Sequence, residues 1–323
     1  MKTINERLIK LKNELKNRKI RIMIIGLGSV GNYLLDYLVS VADENMEICV
    51  VGRNENKMES DVNIVRVASL IRRQNRCQIS IDSSVDLNSI ELITKAIERF
   101  APDIIVNSSR AYSGLKYGSI SWKAVRAYGI WSPLSIRYTK NIMEAYEKAG
   151  SDAIVINTSY SDAVIPWLKS ANKAYPDFGS GNINHLVYRF KLAAGNILSI
   201  KDYWNIDITF AVSHFHDVCI SKEGHTDGMK MLIDIKYHDN QLLLGIDEII
   251  SRCNIPMPVD AKRNMMNASS NFEIIQAILG AVRDGKEQNS TALELLARLV
   301  DIRLLLMEVE NLLRLILIKL FFL

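Results

Sequence analysis

The chain has 323 residues, 48% of them apolar and 24% charged, with a formal net charge of +4. This length exceeds one ordinary domain and points to about two that share an interface, and the balanced composition excludes a disordered or fibrous chain. Its densest basic run, Arg72-Arg73-Gln74-Asn75-Arg76, has no interleaved aromatics, which argues against nucleic acid as a partner and fits a solvated helix end.

Residues 1–19 carry lysines with isolated Ile and Leu at helical spacing and lack the apolar core of a secretory leader, so a short amphipathic helix is expected there. The run Ile20-Arg21-Ile22-Met23-Ile24-Ile25 has strand length. It flows into Gly26-Leu27-Gly28-Ser29-Val30-Gly31 and then into the helical pattern Asn32 to Leu38. A G-x-G-x-x-G placed between strand and helix is a dinucleotide-binding fingerprint. Gly26 permits the tight turn, Gly28 lets backbone approach a pyrophosphate, and Gly31 lets helix and strand pack closely. The helix amino terminus, at Ser29 and Val30, supplies oriented N–H donors. We therefore expect Gly26, Gly28, Ser29, Val30 and Gly31 to bind a cofactor.

A second strand is expected at Glu47 to Val51, a helical region through about Arg73, a third strand at Cys77 to Ile81 and a helix ending near Phe100. A fourth strand, Asp103 to Asn107, and a fifth, Ala153 to Asn157, flank a helix from Leu134 to Ala149. This alternation predicts an α/β fold, a doubly wound parallel Rossmann sheet, with Asn107 and Ser108 at the ligand crevice beyond the fourth strand. Residues 108–133 are rich in Ser, Gly, Tyr and Trp and show no clear period. They form either a substrate lid carrying Arg110, Lys116 or Arg126, or a surface loop held down by Trp122 and Trp131. Where the second strand ends there is no carboxylate before Glu55, and Arg53 is placed to grip a 2′-phosphate, which favours NADP over NAD.

After Phe178 the pattern changes. Asp207 to Ser213 and Met229 to Tyr237 alternate like antiparallel strands, and helical patterns follow at Leu242 to Arg252 and Asn264 to Arg283. The expected organisation is a helix over 1–19, an NAD(P)-binding domain over 20–178 and an α+β substrate domain over 179–323. Cys49, Cys77, Cys219 and Cys253 are scattered without metal spacing, which fits a reducing, cytoplasmic setting and cysteines used as core residues. The segment Ile302 to Leu323 is apolar nearly all round. Glu308, Glu310, Arg314 and Lys319 interrupt it, so a packed terminal helix or a homo-oligomer contact is expected in place of a membrane span, unless the chain after about residue 300 is a non-native terminus.

A second constellation lies mid-chain: Asn157-Thr158-Ser159-Tyr160-Ser161-Asp162, then Gly179 to Arg189, then Phe210 to Asp217. In order and approximate separation it resembles the lactate and malate dehydrogenase superfamily. The resemblance implies that Asn157 hydrogen-bonds substrate, that Arg189 forks onto its carboxylate and that His214 is the acid/base. Where that family has an aspartate orienting the imidazole, this chain has Asn184 or His185, so His185 itself becomes a candidate for substrate binding or proton transfer. On a helix it shares a face with Arg189. Bland readings stand beside these: Asn157 satisfying strand-end backbone groups, and Arg189 in an ordinary ion pair. His214 and His216 with Asp217 or His185 admit a metal, but no third ligand is firm and none is expected. The sequence thus predicts an NAD(P)-dependent oxidoreductase acting on a small anionic substrate, at a carbon bearing oxygen as in a hydroxy or keto acid. The alternatives are an imino-acid or opine-type dehydrogenase, an NAD- and metal-dependent hydrolase, and an inactive nucleotide-binding protein.

Overall fold

In a computed structural model of the chain, the residues described are 2–110, 131–212, 220, 223–226, 228, 231–258 and 260–283. Helix α1 (Ile4–Glu14) opens on a capping box, in which Glu6 N–H donates to Thr3 Oγ1 and the Glu6 carboxylate accepts from Thr3 N–H. Strands β1 (Ile20–Ile25), β2 (Met46–Val51), β3 (Gln78–Asp82), β4 (Ile104–Asn107), β5 (Ile154–Asn157) and β6 (Phe178–Gly179) form one parallel sheet in the order β3-β2-β1-β4-β5-β6. Strands β1, β2, β4 and β5 are buried on both faces, and so they read as continuous apolar runs.

The connecting helices cover both faces. Helices α2 (Ser29–Ser40) and α3 (Glu55–Ile71) press Leu34, Leu35, Leu38 and Val62 onto one side. Helices α4 (Ile90–Phe100) and α5 (Trp131–Lys148) press Ile93, Ile97, Ile142 and Met143 onto the other. Helix α6 (Ser161–Ser170) follows β5, and α7 (Asn182–Leu198) follows β6. Beyond them β7 (Ile206–Val212), β8 (Met231–Tyr237) and β9 (Asn240–Gln241) make an antiparallel sheet. It shares a second core with α7 and α8 (Ile246–Arg252), built on Leu186, Phe190, Ile206, Ile235 and Ile250.

Two elements differ from the sequence expectation. Strand β6 is a sixth parallel strand of only two residues, too short to show a period, and it lies across the expected boundary at residue 178. Helix α9 (Asn264–Arg283) has the expected bounds, yet it packs back against α2 and α1 and places Ile275, Ile278 and Val282 in the first core. An apolar face announces that it will be buried, not against what. Arg72 caps the end of α3 and pairs with Asp36, as expected of a solvated helix end. Burial pushes the thiols of Cys49 and Cys253 up to about 11 and about 12, so both are inert core residues at neutral pH. Cys219 and the segment 302–323 lie outside the described residues. No helix among the described residues is long and apolar enough to cross a membrane.

Candidate nucleotide and substrate site

The strand order reverses between β2-β1 and β4, and there, at the carboxyl ends of the strands, a cleft of about 420 Å³ opens. Its floor is the glycine turn. Gly26 has φ +91°, and a Cβ there would lie 2.8 Å from Ser109 Cα. A Cβ on Gly31 would lie 2.4 Å from the Gly26 carbonyl oxygen, so only glycine lets α2 sit this close to the turn. A Cβ on Gly28 would meet nothing within 4 Å: this side of the turn faces open space. Gly28 is the N-cap of α2 and brings no side-chain acceptor, and no acidic residue occupies the first turn. The leading N–H groups, which Ser29 and Val30 carry into the cleft, are thus left for an anion.

Ser108 and Asn107 support this turn from β4. Ser108 Oγ donates to the Gly26 carbonyl at 2.6 Å and locks the loop. Asn107 is fully buried, and its amide donates to Asn157 Oδ1 (2.8 Å) and Thr139 Oγ1 (3.2 Å) while its carbonyl accepts from Ser109 Oγ (2.6 Å). Asn157 is equally buried and donates to the Ser159 carbonyl at 3.0 Å. The two asparagines therefore tie the ends of β4 and β5 together.

At the far end of the cleft Arg53 is exposed at the end of β2, and Asp86 faces it from the β3–α4 loop. Asn88 holds the Asp86 carboxyl below the usual carboxylate range, first through its backbone N–H and then through its amide, with the charges of Arg53 and Arg137 assisting. Asp86, Lys57, Tyr138 and Asn264 also line the cleft and were not read from the sequence. The strand order brings Asp86 there and the packing of α9 against α2 brings Asn264, although the ends of all parallel strands facing one crevice is a signal that pointed to the residues after Asp82. Of the lid residues, Arg110 lines the cleft and lies 5.9 Å from the Tyr160 ring centre; Lys116, Trp122 and Arg126 lie outside the described residues.

Helix α9 links this cleft to a second polar cluster. Asn264 Nδ2 donates to Ser29 Oγ at 2.5 Å, and Ser270, further along the same helix, accepts from the Asn184 amide. Asn271 holds Thr158 and Ser180 at 3.1 and 2.6 Å. Facing α9, α7 buries Asn184, His185 and Arg189. Arg189 donates to the Cys253 carbonyl (3.2 Å) and to Met257 Sδ (3.1 Å). Burial, reinforced by the charges of Arg189 and Arg263, drives the His185 imidazole down to about 3, and only Asn267 opposes this. His185 is therefore neutral at physiological pH and poorly matched to proton delivery there.

Because the unfolded imidazole titrates near its ordinary value, the unfolded chain binds the extra proton between that value and about 3. Stability should accordingly fall as pH drops below about 6.5, by at most about 1.4 kcal/mol per pH unit from this group. Urea melts at pH 7.0, 6.0 and 5.0 check this, and His185→Gln should flatten the slope. His214, His216 and Asp217 lie outside the described residues, and among the described residues no group of three His, Cys, Asp or Glu is placed to hold a metal.

The same architecture occurs in solved malate dehydrogenases. The enzyme of Cryptosporidium parvum superposes with a TM-score of 0.56 at 12% identity, over 83% of this chain and 79% of that one. The fold is malate dehydrogenase-like. The malate dehydrogenase of Picrophilus torridus, in its apo form, superposes with a TM-score of 0.51 at 13% identity, over 80% of this chain and 76% of the other. No family model matches the sequence, and no curated protein matches it. At such identities the malate dehydrogenase-like fold carries over, and the chemistry must be argued from the residues.

Proposed function

We propose that the chain is an NAD(P)-dependent oxidoreductase acting on a small anionic substrate. The observation that carries this reading is the uncapped amino terminus of α2 above a glycine turn that leaves open space only at Gly28. A pyrophosphate fits that cradle, with the N–H groups at Ser29, Val30 and Gly31 holding it. The nicotinamide of such a cofactor supplies hydride chemistry. In this reading Asn107 and Asn157 are positioning residues that fix the strand ends beneath the reacting groups. Arg189 holds the substrate carboxylate, and His214 moves the proton.

Arg53 supports NADP as the cofactor within this proposal. It is exposed at the ribose end of the cleft, and its described electrostatic partner is Asp86 across the gap. A 2′-phosphate would provide the bidentate anion that a guanidinium matches. Titration of the protein with NADPH and NADH, followed by nicotinamide fluorescence, should show NADPH binding about tenfold or more tightly, with the preference reversed in Arg53→Asp. Equal affinities would remove Arg53 from the phosphate site. Absence of binding by either nucleotide would overturn the oxidoreductase reading.

A further inference from the structure

The cluster between α7 and α9 holds more acceptors than its neighbours satisfy. Asn184 is 2% exposed, His185 6% and Asn267 6%. Asn184 Oδ1, Asn267 Oδ1 and both ring nitrogens of His185 are buried with no partner in hydrogen-bonding geometry. Asn267 lies close enough to the ring for its carbonyl to favour an imidazole N–H, yet the contact falls short of a formed bond. A neutral imidazole contributes one donor and one acceptor, and two amide oxygens contribute acceptors only. Pairing the single imidazole N–H with either amide oxygen leaves two buried acceptors without a hydrogen-bond partner. Orphaned buried acceptors are costly, and their retention in a native structure calls for a reason such as a ligand that completes the set.

Position joins this cluster to the cleft. Asn267 lies one turn, about 4.5 Å along the axis, from Asn264, which lines the nucleotide cleft and bonds Ser29. His185 shares the buried face of α7 with Arg189. We propose that Asn184, Asn267 and His185 form a subsite for an amino or imino nitrogen, so that the substrate is an amino-acid-like compound and not a hydroxy or keto acid. This rests on the oxidoreductase reading, with the substrate carboxylate on Arg189 offsetting the guanidinium charge beside the subsite. A keto group offers no donor and a hydroxyl offers one. An amino nitrogen offers the two that the vacant acceptors require.

The test compares ligands that differ only in that group. Protein saturated with NADP+, its nucleotide binding first established with NADPH by fluorescence, is titrated with alanine against lactate, aspartate against malate, and glutamate against 2-hydroxyglutarate, with melting temperature as the readout. In at least one pair the amino member should bind about tenfold or more tightly than its hydroxy counterpart. Asn267→Leu should erase that preference without lowering the melting temperature of the ligand-free protein, since an orphaned acceptor gives the apo fold nothing to lose. Asn267→Asp, which keeps an acceptor, should preserve it. The proposal fails if the hydroxy members bind equally or better, if no member binds to NADP+-loaded protein, or if Asn267→Leu destabilises the apo protein. A wild-type protein that takes up no NADPH fails the oxidoreductase reading instead, at an earlier and separate step.

Discussion

Gly28→Thr is expected to abolish nucleotide binding while leaving the fold as stable as before. Gly28 has an extended backbone that any residue adopts, and its Cβ direction meets no protein atom within 4 Å, so a larger residue brings no clash. Threonine is also a good N-cap. Its hydroxyl accepts from the leading N–H groups of α2 and adds a few tenths of a kcal/mol at most. Those are the N–H groups proposed to hold the pyrophosphate, and the side chain fills the space the pyrophosphate would occupy. Loss of even one or two charge-assisted bonds corresponds to a fall in affinity on the order of 100-fold. Gly31→Ala should behave in the opposite sense. Its Cβ, 2.4 Å from the Gly26 carbonyl oxygen, forces α2 off the turn and costs about 1–3 kcal/mol of stability. Parallel NADPH titrations and urea melts of the two variants separate the roles. Undiminished NADPH affinity in Gly28→Thr would place the nucleotide elsewhere.

The contrast between these glycines shows what the sequence made legible. The glycine turn stands where an apolar strand meets a helical pattern, and both periods are local, so β1, α2 and their junction could be read residue by residue. The same holds for Asn107 and Asn157 at strand ends, although their mutual hydrogen bond depends on β4 and β5 being neighbours. Helical spacing placed His185 and Arg189 on one face. It did not show that the imidazole is held neutral, because burial does this first and the charge of Arg263, from a segment far along the chain, adds to it. Asp86 was missed for the same reason: it faces Arg53 only once β3 lies beside β2. Local pattern thus determines which residues are presented together, and topology determines what they meet.

The largest stability effect is expected at the opposite edge of the sheet. Arg7 on α1 is 3% exposed and donates to Asp177 Oδ2 (2.8 Å) and to the Ala153 carbonyl (2.8 Å), and its second amino group pairs with the other Asp177 oxygen. Asp177 Oδ2 also accepts from Val155 N–H at 2.8 Å. The pair therefore clamps α1 onto the amino ends of β5 and β6. Burial next to this clamp raises the Tyr146 hydroxyl to about 12, so it stays neutral and adds no second charge. Arg7→Met removes the cation and strands a buried carboxylate, which costs about 3–5 kcal/mol, or roughly 10 °C in Tm. Adding Asp177→Asn removes the stranded charge but keeps an acceptor for Val155 N–H, and should recover a large part of that loss. Thermal melts of the single and double variants check this, and a single-variant loss below about 1 kcal/mol would mean the pair is no better than a surface contact. Because the clamp sits at the amino ends of strands whose carboxyl ends form the cleft, NADPH affinity should be unchanged in every variant that remains folded. A coupled loss of affinity would show that α1 acts on the nucleotide site through the sheet.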